Sequence, residues 1–295
     1  MKLLNKYLNG NVTVTLFDNG TKIQEWSDNE QPNPLYPNSM DIKITNYCDL
    51  GCAWCHEKSN TQGVHADLEY LLDILQWLPR GTELAIGGGN PLSHPGLVPF
   101  LETCKSMGLV PNLTVNYYHI LPQYSLINKL LNNKLIYGLG LSIPDDFTED
   151  TINLIERKEN CVYHVIAGVN ELSVLDKIKE SSIKKCLILG YKDVGRGKFH
   201  HSTSTDRNLN NWIDNIGQYI RKVHLSFDNL SLKQLNIKQY LTEKDWNSFY
   251  MGDDGVFTFY IDAVTKTYSK SSTYPDKFNL KLDIKEIFEH VKSLK

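Results

Sequence analysis

The stretch Thr45-Asn46-Tyr47-Cys48-Asp49-Leu50-Gly51-Cys52-Ala53-Trp54-Cys55-His56 decides how the chain is read. Its three cysteines, spaced C-x3-C-x2-C, follow directly on the apolar run Met40–Ile44, so a strand delivers three thiols to one short loop. Three thiolates hold three irons of a cubane cluster and leave the fourth iron open to a small molecule. A purely electron-transferring cluster normally takes four cysteines. Zinc is the competing reading, with His56 as fourth ligand. It prefers paired C-x2-4-C halves, and four ligands between Cys48 and His56 would strain a tetrahedron. A redox pair of Cys52 and Cys55 leaves Cys48 without a role.

Outward from this loop, strand patterns recur at Met40–Ile44, Glu83–Ile86, Val110–Val115, Ile136–Ser142, Val162–Ile166 and Lys185–Leu189. Helical patterns lie between them at Asp67–Leu78, Leu97–Met107, Leu121–Leu131, Thr148–Arg157 and Glu171–Glu180, with Asp67 and Asn170 placed as N-caps. The alternation predicts an α/β fold whose parallel sheet curls toward a barrel, with functional groups at the carboxyl ends of the strands. An open sheet and a closed barrel both satisfy the pattern.

On the N-terminal side, Val12, Val14 and Leu16 alternate with threonines, and Asp18-Asn19-Gly20 turns the chain toward Ile23 and Trp26, a β-hairpin signal. A linker carrying Pro32, Pro34 and Pro37 follows. Past residue 207 come a helix (Leu209–Ile220), a strand (Val223–Phe227), a hairpin (Val256–Ile261 with Thr265–Ser269) and an amphipathic helix (Ile284–Val291). The expected division is an N-terminal hairpin and linker over 1–39, a core over 40–206 and an extension over 207–295. The two hairpins are expected to form one accessory sheet beside the core.

The motif C-x3-C-x-aromatic-C after the first core strand resembles that of the radical S-adenosylmethionine (SAM) superfamily, with Trp54 at the aromatic position that packs near the SAM adenine. The resemblance implies a partial (β/α)6 barrel and a [4Fe–4S] cluster on Cys48, Cys52 and Cys55. It implies that SAM chelates the open iron through its amino and carboxylate groups. One electron from the reduced cluster then enters the sulfonium, releasing methionine and a 5′-deoxyadenosyl radical that abstracts hydrogen from a substrate.

Gly87-Gly88-Gly89-Asn90-Pro91-Leu92 is similar to the family's G-G-E-P stretch, which binds the SAM amino group. Gly88 and Gly89 let the backbone approach a ligand closely. Asn90 departs from the usual Glu: its amide oxygen accepts from an ammonium without the charge assistance of a carboxylate. Ser142 resembles the family's ribose or carboxylate contact, and Asn116 stands in a comparable place. Ile166-Ala167-Gly168-Val169-Asn170 resembles its adenine-binding stretch, which brings in Gly168 and Asn170.

Arg196 lies in Gly190-Tyr191-Lys192-Asp193-Val194-Gly195-Arg196-Gly197-Lys198, where a guanidinium meets a carboxylate or phosphate. Basic residues outnumber acidic ones from Lys184 to Arg207, which points to an anionic substrate or the SAM carboxylate. Asp228 is placed either to close the far side of the site or to form an Asx turn. His94 and His119 are candidate proton-transfer groups, weighed against ordinary structural roles.

Hydrophobic content of 41% and charged content of 22% are those of a soluble globular protein. No apolar run reaches the roughly 18 residues that span a membrane, and the Leu3–Leu4 pair does not make a secretory signal. A net charge of −3 argues against general nucleic-acid binding. Cys104, Cys161 and Cys186 are scattered in apolar segments and read as small buried hydrophobes, which predicts a reducing, cytoplasmic setting.

The leading function class is therefore an enzyme that draws on a one-electron donor such as flavodoxin and acts on a small metabolite, nucleotide or peptide. The absence of cysteine beyond Cys186 is expected to exclude an auxiliary cluster in a C-terminal extension. The competing classes are a non-catalytic iron–sulfur SAM-binding regulator and a glycyl-radical-type activase of a partner protein.

Overall fold

Successive residues of a strand point to opposite faces, and the core strands here sort apolar residues to one face and small or polar ones to the other. The computed structural model describes residues 1–27 and 29–294. It opens with β1 (Leu3–Asn9), β2 (Val12–Phe17) and β3 (Lys22–Glu25), an antiparallel sheet of their own. The core then runs β4 (Ser39–Thr45), α1 (Leu68–Leu75), β5 (Glu83–Gly88), α2 (Leu97–Met107), β6 (Val110–Asn116), α3 (Ile120–Asn132) and β7 (Gly138–Ser142). It continues through α4 (Glu149–Ile152), β8 (Cys161–Ile166), α5 (Val174–Glu180), β9 (Lys185–Leu189), α6 (Gly197–His200), α7 (Thr203–Asn215) and β10 (His224–Phe227). The remainder is α8 (Asn229–Gln234), α9 (Glu243–Phe249), β11 (Thr258–Asp262), β12 (Thr267–Ser269), β13 (Phe278–Asn279) and α10 (Ile284–Ser293).

The main sheet has the order β10-β9-β8-β7-β6-β5-β4-β11-β12-β13. Strands β4 to β10 are parallel and sequential, as the βα repeats predict, and β11 adds in parallel on the other flank of β4. Among the described residues β10 and β13 do not pair, so the barrel stays open along one seam. Met40, Ile42, Ile44, Leu84, Ile86, Leu113 and Leu139 form the outer face, buried with Leu71, Ile74, Phe100 and Ile127 of the helices. The inner face carries Ala85, Asn112, Thr114, Gly140 and His164. These line one cavity of about 460 Å³ that touches strands from β5 to β10, which shows how far the sheet curls.

The N-terminal sheet sits at the amino end of this lumen. Its turn residues Asp18 to Thr21 line the same cavity. Lys22 pairs with Glu83 at 2.6 Å, and Asn160 Nδ2 donates to the Asp18 carbonyl at 2.6 Å.

Three features differ from expectation. The two hairpins do not share a sheet: β2 and β3 stay with β1, whereas β11 and β12 extend the main sheet. Phe259, Tyr260 and Ile261 are consecutive and all buried. A strand buried on both faces belongs inside a sheet between two neighbours rather than in a one-faced accessory sheet. The predicted helix Thr148–Arg157 shortens to α4, because the buried Asn128 side chain takes over the backbone beyond it. It donates to Leu154 O at 2.9 Å and accepts from Glu156 N at 3.0 Å. Asp67 caps α1 as expected, but α5 begins at Val174 behind Ser173, so Asn170 is not its cap.

Candidate functional site

Strand β4 carries the cysteine loop to the carboxyl end of the barrel, and backbone bonds fix the loop's course. Cys48 N–H donates to Asn60 O at 3.0 Å, Asn46 N–H to Val64 O at 2.9 Å, and Tyr47 N–H to Thr45 Oγ1 at 3.0 Å. Cys48, Cys52 and Cys55 are unpaired and half-buried, while Cys104, Cys161 and Cys186 are fully buried, as expected of inert hydrophobes. Burial pushes the Cys48 and Cys52 thiols above their usual range, reinforced at Cys48 by the Asp49 carboxylate and at both by neighbouring sulfurs, with Arg196 opposing. Closely spaced thiols in that state favour a cation that displaces their protons.

The Arg196 side chain is turned onto this loop. Its Nε donates to Cys52 O at 2.8 Å and its Nη1 to Ser59 O at 2.9 Å, and its backbone N–H reaches Cys55 O at 3.0 Å. Gly195 makes the approach possible: it has φ +63°, and a Cβ there would lie 2.2 Å from His56 O. Two of the three guanidinium nitrogens thus hold the cysteine loop, a use the sequence reading did not assign to Arg196.

The glycine stretch ends β5 against the same loop. A Cβ on Gly89 would lie 2.1 Å from Tyr47 O, and Gly88 adopts φ +121°. Asn90 is buried, its backbone N–H bonded to Tyr47 O at 2.6 Å and its Oδ1 accepting from Leu92 N at 3.2 Å. Its carbonyl oxygen is thus already a cap for the turn at Pro91–Ser93.

A family model described as the radical SAM superfamily matches residues 42–201, more than half the chain. The chain belongs to the radical SAM superfamily. Crystal structures of Streptococcus suis SuiB are similar in fold. SuiB alone gives a TM-score of 0.62 at 12% identity, over 100% of this chain and 90% of that one. SuiB bound to precursor peptide SuiA gives 0.57 at 14%, over 89% and 68%. SuiB bound to S-adenosylmethionine gives 0.56 at 15%, over 87% and 64%. No curated protein matches the chain.

As a radical SAM protein the chain takes a [4Fe–4S] cluster and SAM. Its residues fit them, with three free thiols on one loop and a glycine stretch packed beside it. Other residues expected to contact SAM also end core strands. Asn116 and Ser142 are paired neighbours at the ends of β6 and β7. Asn116 Oδ1 accepts from Tyr118 N at 3.1 Å. Gly168, at φ +88°, follows β8. Trp54 is half-exposed, its ring 5.7 Å from that of His200.

Asn170 is taken up by the fold: Oδ1 accepts from Ile166 N at 2.9 Å, and Nδ2 donates to Ile143 O at 3.1 Å and Asp145 Oδ1 at 2.9 Å. Asp228 is an Asx cap, accepting from Ser231 N at 2.7 Å and Gly190 N at 3.0 Å. His94 uses both nitrogens, with Ala66 O at 3.0 Å and Gly96 N at 3.0 Å, and burial lowers its pKa. Of these two histidines, His119, 3% exposed, is the one that meets the cysteine loop. Its Nε2 lies 2.8 Å from Asp49 Oδ1, and Cys48, Asp49 and His119 offer donor atoms within 4.8 Å of one another. Against the effect of burial, the His119 hydrogen bond holds Asp49 below the usual carboxylate range.

The sequence reading missed a buried charge network beside the cluster loop. Lys43 Nζ bridges Glu57 at 2.7 Å and Asp262 at 3.0 Å. Tyr260 OH donates to Glu57 Oε1 at 2.9 Å, and His56 Nε2 lies 3.3 Å from the same oxygen. Burial pulls Lys43 down, but the two carboxylates outweigh it and raise its pKa; burial likewise pushes Glu57 up, but His56 and Lys43 outweigh it and hold the carboxyl well below its usual range. Charged residues within apolar strands, Lys43 in β4 and Asp262 in β11, were the available signal. His164 was missed too. It faces the lumen with its ring against Gly140, and burial lowers its pKa to about 4, so it is a neutral imidazole there.

Proposed function

We propose that this radical SAM protein is an enzyme that reductively cleaves SAM and abstracts hydrogen from a substrate seated in the barrel lumen. Cys48, Cys52 and Cys55 hold the cluster, and residues 40–206 form the unit that carries the chemistry. A bound cluster would supply a single electron, drawn from an external donor of flavodoxin type, to open the SAM sulfonium C–S bond to methionine and a 5′-deoxyadenosyl radical. The observation that carries this reading is the set of three free thiols on the loop after β4, at the carboxyl end of a curled parallel sheet.

The chain's own residues position and enclose. Gly88, Gly89 and Asn90 offer backbone groups to the SAM amino group. Asn116 and Ser142 offer side-chain oxygens to the ribose or carboxylate, and Gly168 and Trp54 flank the adenine. Asn170 acts at one remove, tying the ends of β7 and β8 together. Arg196 and the Asp49–His119 pair hold the cysteine loop in shape. The N-terminal sheet closes the amino end of the lumen, so substrate enters beside the cluster loop.

One observation favours the regulatory alternative. Asn90 stands where the family's carboxylate is usual, and its oxygen is engaged with Leu92 N. Electron paramagnetic resonance of the reduced, reconstituted protein tests the SAM seat. SAM is expected to perturb the cluster signal, because one iron keeps an open position. An unchanged signal at saturating SAM would contradict the reading.

A further inference from the structure

We propose that Asn112, Thr114 and His164 form a subsite in the barrel lumen that binds an amide group of the substrate. This rests on the radical SAM reading above and names the chemistry of the substrate that reading leaves open.

The subsite is built around the glycines of β7. Gly138 and Gly140 face the lumen from a strand paired on both sides. A glycine inside such a strand weakens it and admits a close neighbour. Here each glycine is covered by a polar side chain from an adjoining strand. A Cβ on Gly138 would lie 2.7 Å from Asn112 Oδ1 of β6, and one on Gly140 would lie 2.3 Å from His164 Cε1 of β8. Thr114 stands beside Gly140 in register on the β6 side. All three polar residues line the same cavity of about 460 Å³.

None of the three side chains makes a hydrogen bond among the described residues, although each is half-buried. The charged residues lining the cavity are, by contrast, engaged. Asp18 Oδ1 accepts from Lys2 N at 2.7 Å, Glu83 pairs with Lys22 at 2.6 Å, and Lys185 Nζ donates to Glu159 O at 2.9 Å. Enclosed polar groups are ordinarily hydrogen-bonded. Three without protein partners on one wall of a cavity point to a ligand that partners them.

The group they match is uncharged. Enclosure by the protein alone lowers the His164 pKa, to about 4, with no charged side chain acting on it. A neutral imidazole offers one donor and one acceptor, and carboxamide and hydroxyl groups also do both. An ion held there would lose water without gaining a counter-charge. Spacing then selects among neutral groups. The seats on Gly138 and Gly140 are about 6.6 Å apart at the rise of a strand. Two hydrogen bonds of about 2.9 Å to a lone hydroxyl oxygen fall short of that. An amide adds about 2.2 Å between its nitrogen and its oxygen, and so reaches both.

Depth fits a substrate rather than SAM. His164 pairs in register with Ser142 at the end of β7, whereas Gly140 and Gly138 lie further toward the N-terminal sheet. A substrate anchored by its amide at this depth extends its remaining length toward the cluster loop.

The test uses the full chain with its cluster reconstituted under anaerobic conditions, its histidines isotopically labelled at Cε1, and N-methylacetamide as the probe. The His164 signal is assigned by its loss in His164→Gln and followed by nuclear magnetic resonance. The expected result is a saturable shift of that signal, larger than any produced by methanol or by acetate at matched ionic strength. Apparent affinity should fall about tenfold in Asn112→Leu and in Thr114→Val, the scale of one lost hydrogen bond. Asn132→Ala, at an exposed position outside the lumen, should retain it. Gly140→Ala keeps all three polar groups but displaces the imidazole from its seat, and should abolish the shift with far-ultraviolet dichroism unchanged. An absent shift, or one that persists in both Gly140→Ala and Asn112→Leu, overturns the proposal. So does a stronger response to methanol or acetate, which would give the site to a hydroxyl or an anion. The probe's shift needs no turnover, and formation of 5′-deoxyadenosine by the wild type is assayed in parallel. Failure of the radical SAM reading is thereby seen separately from failure of the subsite.

Discussion

Arg196 Nε donates to the carbonyl of Cys52 at 2.8 Å, so the loop after the last of the six core βα repeats' strands holds the loop after the first. The sulfur-bearing segment is thereby fixed at both ends of the core, by β4 from below and by Arg196 across the mouth. Arg196→Met should weaken this loop by roughly 2 kcal/mol, the scale of a hydrogen bond to a charged group. The expected outcome is slower reconstitution and faster bleaching of the visible iron–sulfur absorbance in air, with far-ultraviolet dichroism unchanged. Arg196→Lys should recover only part, since an ammonium does not reproduce the fork.

Gly89 has no room for a side chain, because its Cβ would lie 2.1 Å from Tyr47 O. The obstacle is backbone, so relief requires moving the cysteine loop or β5. Gly89→Ala should cost more than about 2 kcal/mol of stability by denaturant titration and impair cluster loading. Gly20→Ala, at a turn with open space around the Cβ, provides the contrast: only its φ of +85° is strained.

Lys43 holds Glu57 and Asp262 together in the wall of the lumen. Lys43→Met removes the partner that bridges the two carboxylates and leaves buried negative charge behind. A loss of about 3–5 kcal/mol is expected at neutral pH. Partial recovery is expected in the double variant Lys43→Met/Asp262→Asn, read by the same denaturation assay.

Asp41 faces the lumen beside Tyr260 and Ala85, and enclosure by the surrounding protein raises its pKa from the ordinary 3.8 to about 6. A carboxyl whose folded pKa is raised binds its proton more tightly in the native state, so its contribution falls as pH rises through this window. Asp41→Asn should therefore stabilise the protein above pH 6 and make little difference near pH 4, measured by urea denaturation across that range. Stabilisation that is equal at both ends of the range would contradict the assignment.

The cysteine spacing, the first strand and the βα alternation were legible in the sequence because each is a local pattern: period 2, period 3.6 and one motif. The lumen was not. Lys43 and Asp262 are 219 positions apart, and their pairing depends on β11 returning to the far flank of β4. Arg196 read as a ligand contact because its basic loop is visible, whereas the carbonyls of Cys52 and Ser59 that it grips carry no side-chain signature. Asn170 and Asp228 were named from their positions at strand ends. Their amide and carboxylate groups proved to be satisfied by backbone there, which is the common fate of Asx residues at such turns.

The most direct test of the central claim is product formation from SAM. The reconstituted protein, reduced with dithionite under anaerobic conditions and given SAM, is expected to yield 5′-deoxyadenosine and methionine by mass spectrometry, with none from a Cys48→Ala/Cys52→Ala/Cys55→Ala variant. A fully loaded cluster that binds SAM yet forms no 5′-deoxyadenosine, even with small-metabolite, nucleotide and peptide pools supplied, would contradict the catalytic account and leave the regulatory one.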